Sequence, residues 1–197
     1  MSTAATDAPS RAAALVSLFC TPVDAFARFA GVDPAAVPEP SRGLLDHTSH
    51  MTVVMERFHR QLLGLRVVAR RDEPGDLHAW YAREILLVTA AGTPVQHGIV
   101  RIDLRQVGAD TAARIRAAAE PLGRVLIEAG LLREVRRVQL LRVEPGPRLA
   151  AVTGMAGERG TVMYGRVADI ALAGKAEPAV ELLEIVVPPV HAAPAPA

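Results

Sequence analysis

The chain has 197 residues, half of them hydrophobic, with 22 basic against 21 acidic side chains and a formal charge of +1. That is long enough for one domain with a proper core, too apolar for a disordered chain and too neutral for a broad nucleic-acid footprint. The single cysteine, Cys20, excludes an internal disulfide and any multi-cysteine zinc site, and it fits a reducing compartment.

The opening MSTAATDAPSR lacks the basic-then-apolar order of a signal peptide, and no apolar run approaches the roughly 20 residues that span a bilayer. A soluble, cytoplasmic protein with no membrane partner is expected. Residues 1–10 and the alanine-proline stretch 191–197 read as mobile tails on one domain over 11–190. From Arg11, the spacing of Leu15, Leu18 and Phe19 predicts a short helix. Thr21, Pro22 and Asp24 then signal the start of a second, carrying Phe26 and Phe29 and stopped by Gly31. Residues 31–43 hold three prolines and read as a connector. Leu44 to Gln61 offers caps at Thr48 and Ser49 and places Val53, Val54, Met55 and Phe58 near helical spacing, which predicts about three turns. Met51 and Met55 fall at core spacing on it. Gly64 ends this helix, and Leu65 to Arg71 reads as a strand.

Between Trp80 and Arg105, two β-branched, apolar-rich runs flank Ala91-Gly92, the pattern of a hairpin with a two-residue turn. Setting Ala90 opposite Thr93 fixes the register: Ala82 opposes Arg101, Glu84 opposes Ile99, and Ile85 opposes Gly98. One face then holds Trp80, Glu84, Leu86, His97, Ile99 and Arg101. The other holds Tyr81, Arg83, Ile85, Leu87, Gln96, Gly98 and Val100. Arg83 is the only charge on this second face, and Gly98 leaves a gap beside it. A guanidinium cannot lose its charge, so its burial needs an anionic or acceptor-rich partner, supplied by the protein or by a ligand.

Asp110 to Ala119 is helical in pattern, and Pro121-Leu122-Gly123 starts another short helix through Glu128, closed by Gly130. Strands follow over Val135 to Val143, Val162 to Ala173 and Ala179 to Val187, with turns at Glu144 to Pro147 and Gly174-Lys175. The fold class is α+β, a single domain with about six antiparallel strands.

No chemical motif is complete. His47, His50 and His59 share a region without HExxH spacing, and GxSxG, GxGxxG and P-loop patterns are absent, so neither a metal nor a cofactor is expected. Arg133, Arg136 and Arg137 lack interleaved aromatics and read as a solvated edge, not a nucleic-acid surface. What stands out are charges inside apolar strands. Glu184 shares a face with Leu182 and Val186, either as the ion-pair partner of Arg83 or as part of a site. Arg101 and Glu84 read as a structural pair, and Arg166 is a further strand cation with its role open.

Five segments in order, SHMTVVME at Ser49 to Glu56, YAREILL at Tyr81 to Leu87, GTPVQHGIVRI at Gly92 to Ile102, PLGRVLIE at Pro121 to Glu128, and YGR with ELLEIVVP between Tyr164 and Pro188, cover most of 44–188. Together they resemble the chorismate pyruvate-lyase family, which makes 4-hydroxybenzoate and pyruvate from chorismate and shares its fold with effector-binding domains of GntR-type regulators. The resemblance implies a six-stranded antiparallel sheet with helical flaps over a buried ligand cavity, a small-molecule substrate and no cofactor. It assigns Arg83 to the ring carboxylate, joined by backbone at Leu122 and Gly123 where a helix start presents N–H groups. It assigns Glu184 to the ring hydroxyl at the reacting end, closed by the backbone of Met51, with Gly98 leaving room for the ring. Losing pyruvate makes the ring aromatic, so the protein has mainly to position and polarise its substrate, with Glu184 orienting it or assisting proton transfer. Family members often carry D-G-S or D-S where this chain has His47, Thr48, Ser49 and His50, so a changed flap and a chorismate analogue as substrate are also implied. The competing reading is a non-catalytic binding protein. About 40 residues precede the matching region, without a helix-turn-helix pattern or a basic recognition helix.

Overall fold

The structure, a computed structural model, describes residues 7–73, 80–157, 160–172 and 177–188. Helix α1 (Ala8–Ser17) is capped by Asp7, whose side chain accepts the Ser10 N–H at 3.0 Å, and it buries Ala12, Leu15 and Val16. It begins inside the stretch expected as a tail; residues 1–6 and the second tail, 191–197, lie outside the described residues. The helix expected to carry Phe26 and Phe29 does not form. A single 3-10 turn (Val23–Ala25) leads into strand β1 (Ala27–Gly31). The three-residue spacing of the two phenylalanines imitates a helix face, but backbone pairing at a sheet edge overrides it.

Helix α2 (Ser41–Leu45) precedes α3 (Met51–His59), which starts beyond Thr48 and Ser49, with His50 at the cap position and no side-chain cap bond. Strands β2 (Gly64–Glu73), β3 (Trp80–Val88) and β4 (Pro94–Asp103) follow, then α4 (Ala109–Ala117) and α5 (Leu122–Glu128). Strand β5 (Leu132–Pro145) runs into α6 (Pro147–Thr153), where a turn alone was expected, and β6 (Met163–Leu172) and β7 (Pro178–Val186) complete the chain. The turn at Gly174-Lys175 lies outside the described residues. Pro147 occupies the first turn of α6, where its missing N–H costs nothing. Gly146 ahead of it approaches the Asp24 and Ala25 carbonyls so closely that a Cβ would stand 2.6 Å from both.

The strands form one seven-stranded sheet in the order β1-β5-β6-β7-β4-β3-β2, every neighbour antiparallel, one strand more than expected because of β1. The β3–β4 register is the expected one, with Ala82 opposite Arg101, Glu84 opposite Ile99 and Ile85 opposite Gly98. Its turn is wider than two residues. A bulge sets Val88 opposite Pro94, the Gly92 N–H donates to the Thr89 carbonyl, and Gly92 takes φ +80°.

One sheet face packs under α1 and α6, burying Ile99, Leu141, Val167, Leu183 and Ile185 together with Phe26. Here Glu84 is wholly buried and its carboxylate accepts from His97 Nε2 at 2.9 Å and from Arg148 of α6 at 2.5 Å. The expected Glu84–Arg101 pair does not form. Arg101 lies over the Trp80 ring at 4.2 Å and meets Glu181, the residue directly opposite it on β7, at 3.6 Å. A directly opposed partner stands closer than a diagonal one. The other face is covered in two patches, α2 and α3 over Ile85, Leu87 and Val186, and α4 and α5 over Ile102, Ile170 and Leu182.

Candidate functional site

Strand alternation sends Arg83, Ile85, Gln96, Gly98, Val100, Leu182, Glu184 and Arg166 to the face under the two helix pairs. At the seam between those pairs lies a cavity of about 70 Å³. That is room for several waters, judged by the volume each water centre needs. All six residues singled out in the sequence, Arg83, Glu184, Met51, Gly98, Leu122 and Gly123, line it. Three larger hollows elsewhere include none of them.

Arg83 is 2% exposed. Its Nη2 donates to the Glu120 carbonyl at 3.0 Å, whereas Nη1 is buried without a hydrogen-bond partner. Burial pushes its pKa down, an effect partly offset by the nearby Tyr81 phenol, whose hydroxyl also lacks a well-aligned partner. An arginine stays protonated all the same. Glu120 immediately precedes the Pro121-Leu122 helix start, so the strand cation and the first N–H groups of α5 meet at one end of the cavity. Those first N–H groups have no partner within their own helix.

The expected alternative of an Arg83–Glu184 ion pair is not what forms. They lie two strand spacings and two residues apart, on either side of β4, which puts their α-carbons about 12 Å apart. Glu184 instead accepts from Arg166 Nε at 2.7 Å, its direct cross-strand neighbour. Arg166 Nη1 donates to the His47 carbonyl at 2.8 Å and the Leu45 carbonyl at 3.3 Å, and lies 3.2 Å from His47 Nδ1. His47 Nε2 is 2.8 Å from the Leu44 carbonyl, which assigns the proton to Nε2 and leaves Nδ1 to accept from Arg166 and from the Ser49 N–H. Burial, and then the Arg166 charge, hold the pKa of both His47 and His50 below the usual histidine value. The segment that departs from the lyase pattern is thus bonded into the far wall.

Gly98 lies between Ile85 and Glu184 in the same cross-strand row, and a Cβ there would stand 3.2 Å from Ile85 Cδ1. Among the described residues one ion pair joins the two helix pairs across the seam, Arg124 of α5 to Glu56 of α3 at 3.2 Å. Sequence reasoning left Arg166 open and passed over Gln96 and the His47–Arg166 contact. Among the described residues no group of histidine, cysteine, aspartate and glutamate is arranged to hold a metal. No described helix is long and apolar enough to cross a membrane.

In fold the chain is similar to PhnF from Mycobacterium smegmatis, with a TM-score of 0.54 and 14% identity over 71% of this chain, and it spans only 64% of that one. The ligand-binding domain of a protein assigned to the GntR family of transcriptional regulators, from Bordetella bronchiseptica, matches with a TM-score of 0.49 and 15% identity over 64% of this chain and 85% of that domain. A GntR-family regulator from Bacillus cereus matches with a TM-score of 0.46 and 7% identity, over 68% of this chain and 98% of that one. No family model and no curated protein matches the chain. At these identities the likeness is one of fold.

Proposed function

We propose that the cavity binds a single-ring carboxylic acid through Arg83 and that the protein is a lyase releasing pyruvate from chorismate or a close analogue. The observation that carries the reading is the buried Arg83 Nη1 without a partner, in a cavity that also gathers Glu184, Met51, Gly98, Leu122 and Gly123. A buried cation half satisfied by the protein calls for an anion from outside it. The carboxylate would lie between Arg83 and the first N–H groups of α5, and the ring would cross Gly98 against Ile85, Val100 and Leu182. Its hydroxyl end would meet Glu184. In the reaction the ether C–O bond breaks, a ring C–H proton leaves, the ring becomes aromatic and the pyruvate enolate takes up a proton. Aromatisation supplies the driving force, so the protein's part is to hold the reactive conformer.

A second reading, non-catalytic binding of such an acid, is favoured by one observation. The Glu184 carboxylate is engaged by Arg166, which suits positioning better than proton removal. One assay separates the two. Purified protein with chorismate and no added metal or nucleotide should give pyruvate and an aromatic acid in equal amounts, with the ring product identified by mass. Binding without turnover supports the second reading, and failure to bind any ring acid sinks both.

A further inference from the structure

The cavity is lined by a second buried polar side chain with an atom that the fold leaves unbonded. Gln96 is 3% exposed, lines the cavity, and its Oε1 has no hydrogen-bond partner. Its cross-strand neighbours are Leu87 on one side and Val186 on the other, both apolar. Buried amides are almost always hydrogen-bonded, and a carboxamide offers both donors and an acceptor, so one facing a cavity is explained by what the cavity holds. We propose that Gln96 is a specificity-determining residue that reads the end of the ligand remote from Arg83, and that the cavity selects a ring acid bearing a hydroxyl or amino group there.

The strand geometry supports the placement. Val100 faces Arg83 and Gln96 lies four residues further along β4, so the Arg83 and Gln96 α-carbons are about 14 Å apart, at opposite ends of the cavity floor. Gly98, without a side chain, lies between them. Gln96 is also a diagonal neighbour of Glu184, whose direct partner is Gly98, which puts the two within about 8 Å of each other. A ring held by its carboxylate at Arg83 and laid over Gly98 therefore presents its far substituents between an amide and a carboxylate. A hydroxyl or amino group there donates to either acceptor. A hydrocarbon end leaves the amide unpaired, and a site built around a hydrogen bond rejects an analogue that lacks it.

This inference rests on the ring-acid reading, so the test carries a control for that reading. Benzoate, 3-hydroxybenzoate and 4-hydroxybenzoate are titrated calorimetrically into the full chain, Gln96→Leu and Arg83→Met. The unaltered protein should bind one of the hydroxy acids about tenfold or more tighter than benzoate. Gln96→Leu should bring that preference within about threefold, with benzoate bound no more weakly than by the unaltered protein and the melting temperature no lower, because removing a buried amide whose oxygen is unpaired does not weaken a fold. A hydroxy-acid preference that survives in Gln96→Leu, or benzoate binding as well as both hydroxy acids to the unaltered protein, overturns the role of Gln96. A fall in melting temperature with the preference intact makes Gln96 a structural residue. If none of the three acids binds, or if Arg83→Met binds benzoate as well as the unaltered protein does, the ring-acid reading itself fails.

Discussion

Arg83 and Glu84 are neighbours on one strand and carry buried charge to opposite faces of the sheet, with opposite outcomes. Under α1 and α6, Glu84 is closed off by protein, His97 on one oxygen and Arg148 on the other. Under α3 and α5, Arg83 bonds one backbone carbonyl, has the Tyr81 phenol nearby, and keeps one nitrogen without a well-aligned hydrogen bond. The first face has orphaned atoms too, His97 Nδ1 and Arg148 Nη1, but they differ in kind. Glu84, held ionised by His97 and Arg148 against the effect of its burial, accepts the Nε2–H, so Nδ1 is the bare lone pair of a neutral ring, while Arg148 is already matched to an anion through its other terminal nitrogen. A charge that the fold completes belongs to the fold. A charge left incomplete beside a cavity has room for an anion from outside the fold.

Glu84→Ala would leave His97 and Arg148 without their anion and should lower unfolding free energy by about 3–4 kcal/mol, read by urea denaturation, because removing one partner of a buried pair strands the other. A loss below about 1 kcal/mol would mean that this face is no more closed than the other. Arg83→Met should do the reverse. Stability should hold or rise, since an apolar side chain of similar length relieves a desolvated charge, while affinity for ring acids drops about a hundredfold, near 2.7 kcal/mol. Unfolding of this variant would place Arg83 with the structural charges.

Protonation tests the closed face without mutation. Burial holds the pKa of His97 below its usual value of 6.5, outweighing the lift from Glu84. The unfolded chain therefore binds a proton below pH 6.5 that the native protein refuses. The stability contribution is complete above that pH and is lost as the pH falls toward the folded value. Stability should decline by up to about 1.4 kcal/mol per pH unit for this one group. His97→Gln should flatten the slope just below pH 6.5; an unchanged slope would assign it to the other histidines that burial holds low, His47, His50 and His59. The smallest effect belongs to the ion pair between α3 and α5. Arg124→Ala removes a half-exposed ion pair and should cost less than about 1 kcal/mol of stability, with ligand exchange, followed by stopped flow, faster if α3 and α5 part to admit the ring. An exchange rate insensitive to this change would free the α3–α5 seam of any gating role.

Much of this geometry was legible from alternation. The β3–β4 register followed from two apolar runs about Gly92, and it placed Arg83, Gly98 and Gln96 on one face because the strand period is two. The partner of Glu184 was not legible. A two-residue turn at Gly174-Lys175 would set Arg166 opposite Leu183; the irregularity between Ile170 and Ala171 shifts the pairing by one and brings Arg166 to Glu184. A bulge leaves little trace in apolar periodicity, yet it moves every later side chain. Strand β1 was hidden for a different reason. Pro22, Asp24 and the Phe26–Phe29 spacing satisfy helix rules locally, and only the edge of β5, more than a hundred residues away, makes the extended form better. Helix α6 was missed because Pro147 after Gly146 reads equally as the end of a turn and as the first residue of a helix.

The unbonded nitrogen of Arg83 has a practical reach beyond the site. An occupant that neutralises it binds the native protein and not the unfolded chain, and a ligand at a hundred times its dissociation constant raises stability by about 2.7 kcal/mol. The melting temperature is thus a built-in gauge of occupancy. A library of small ring acids screened by thermal shift against the chain and Arg83→Met, scored by the difference between the two, would rank its natural ligand without knowledge of any reaction.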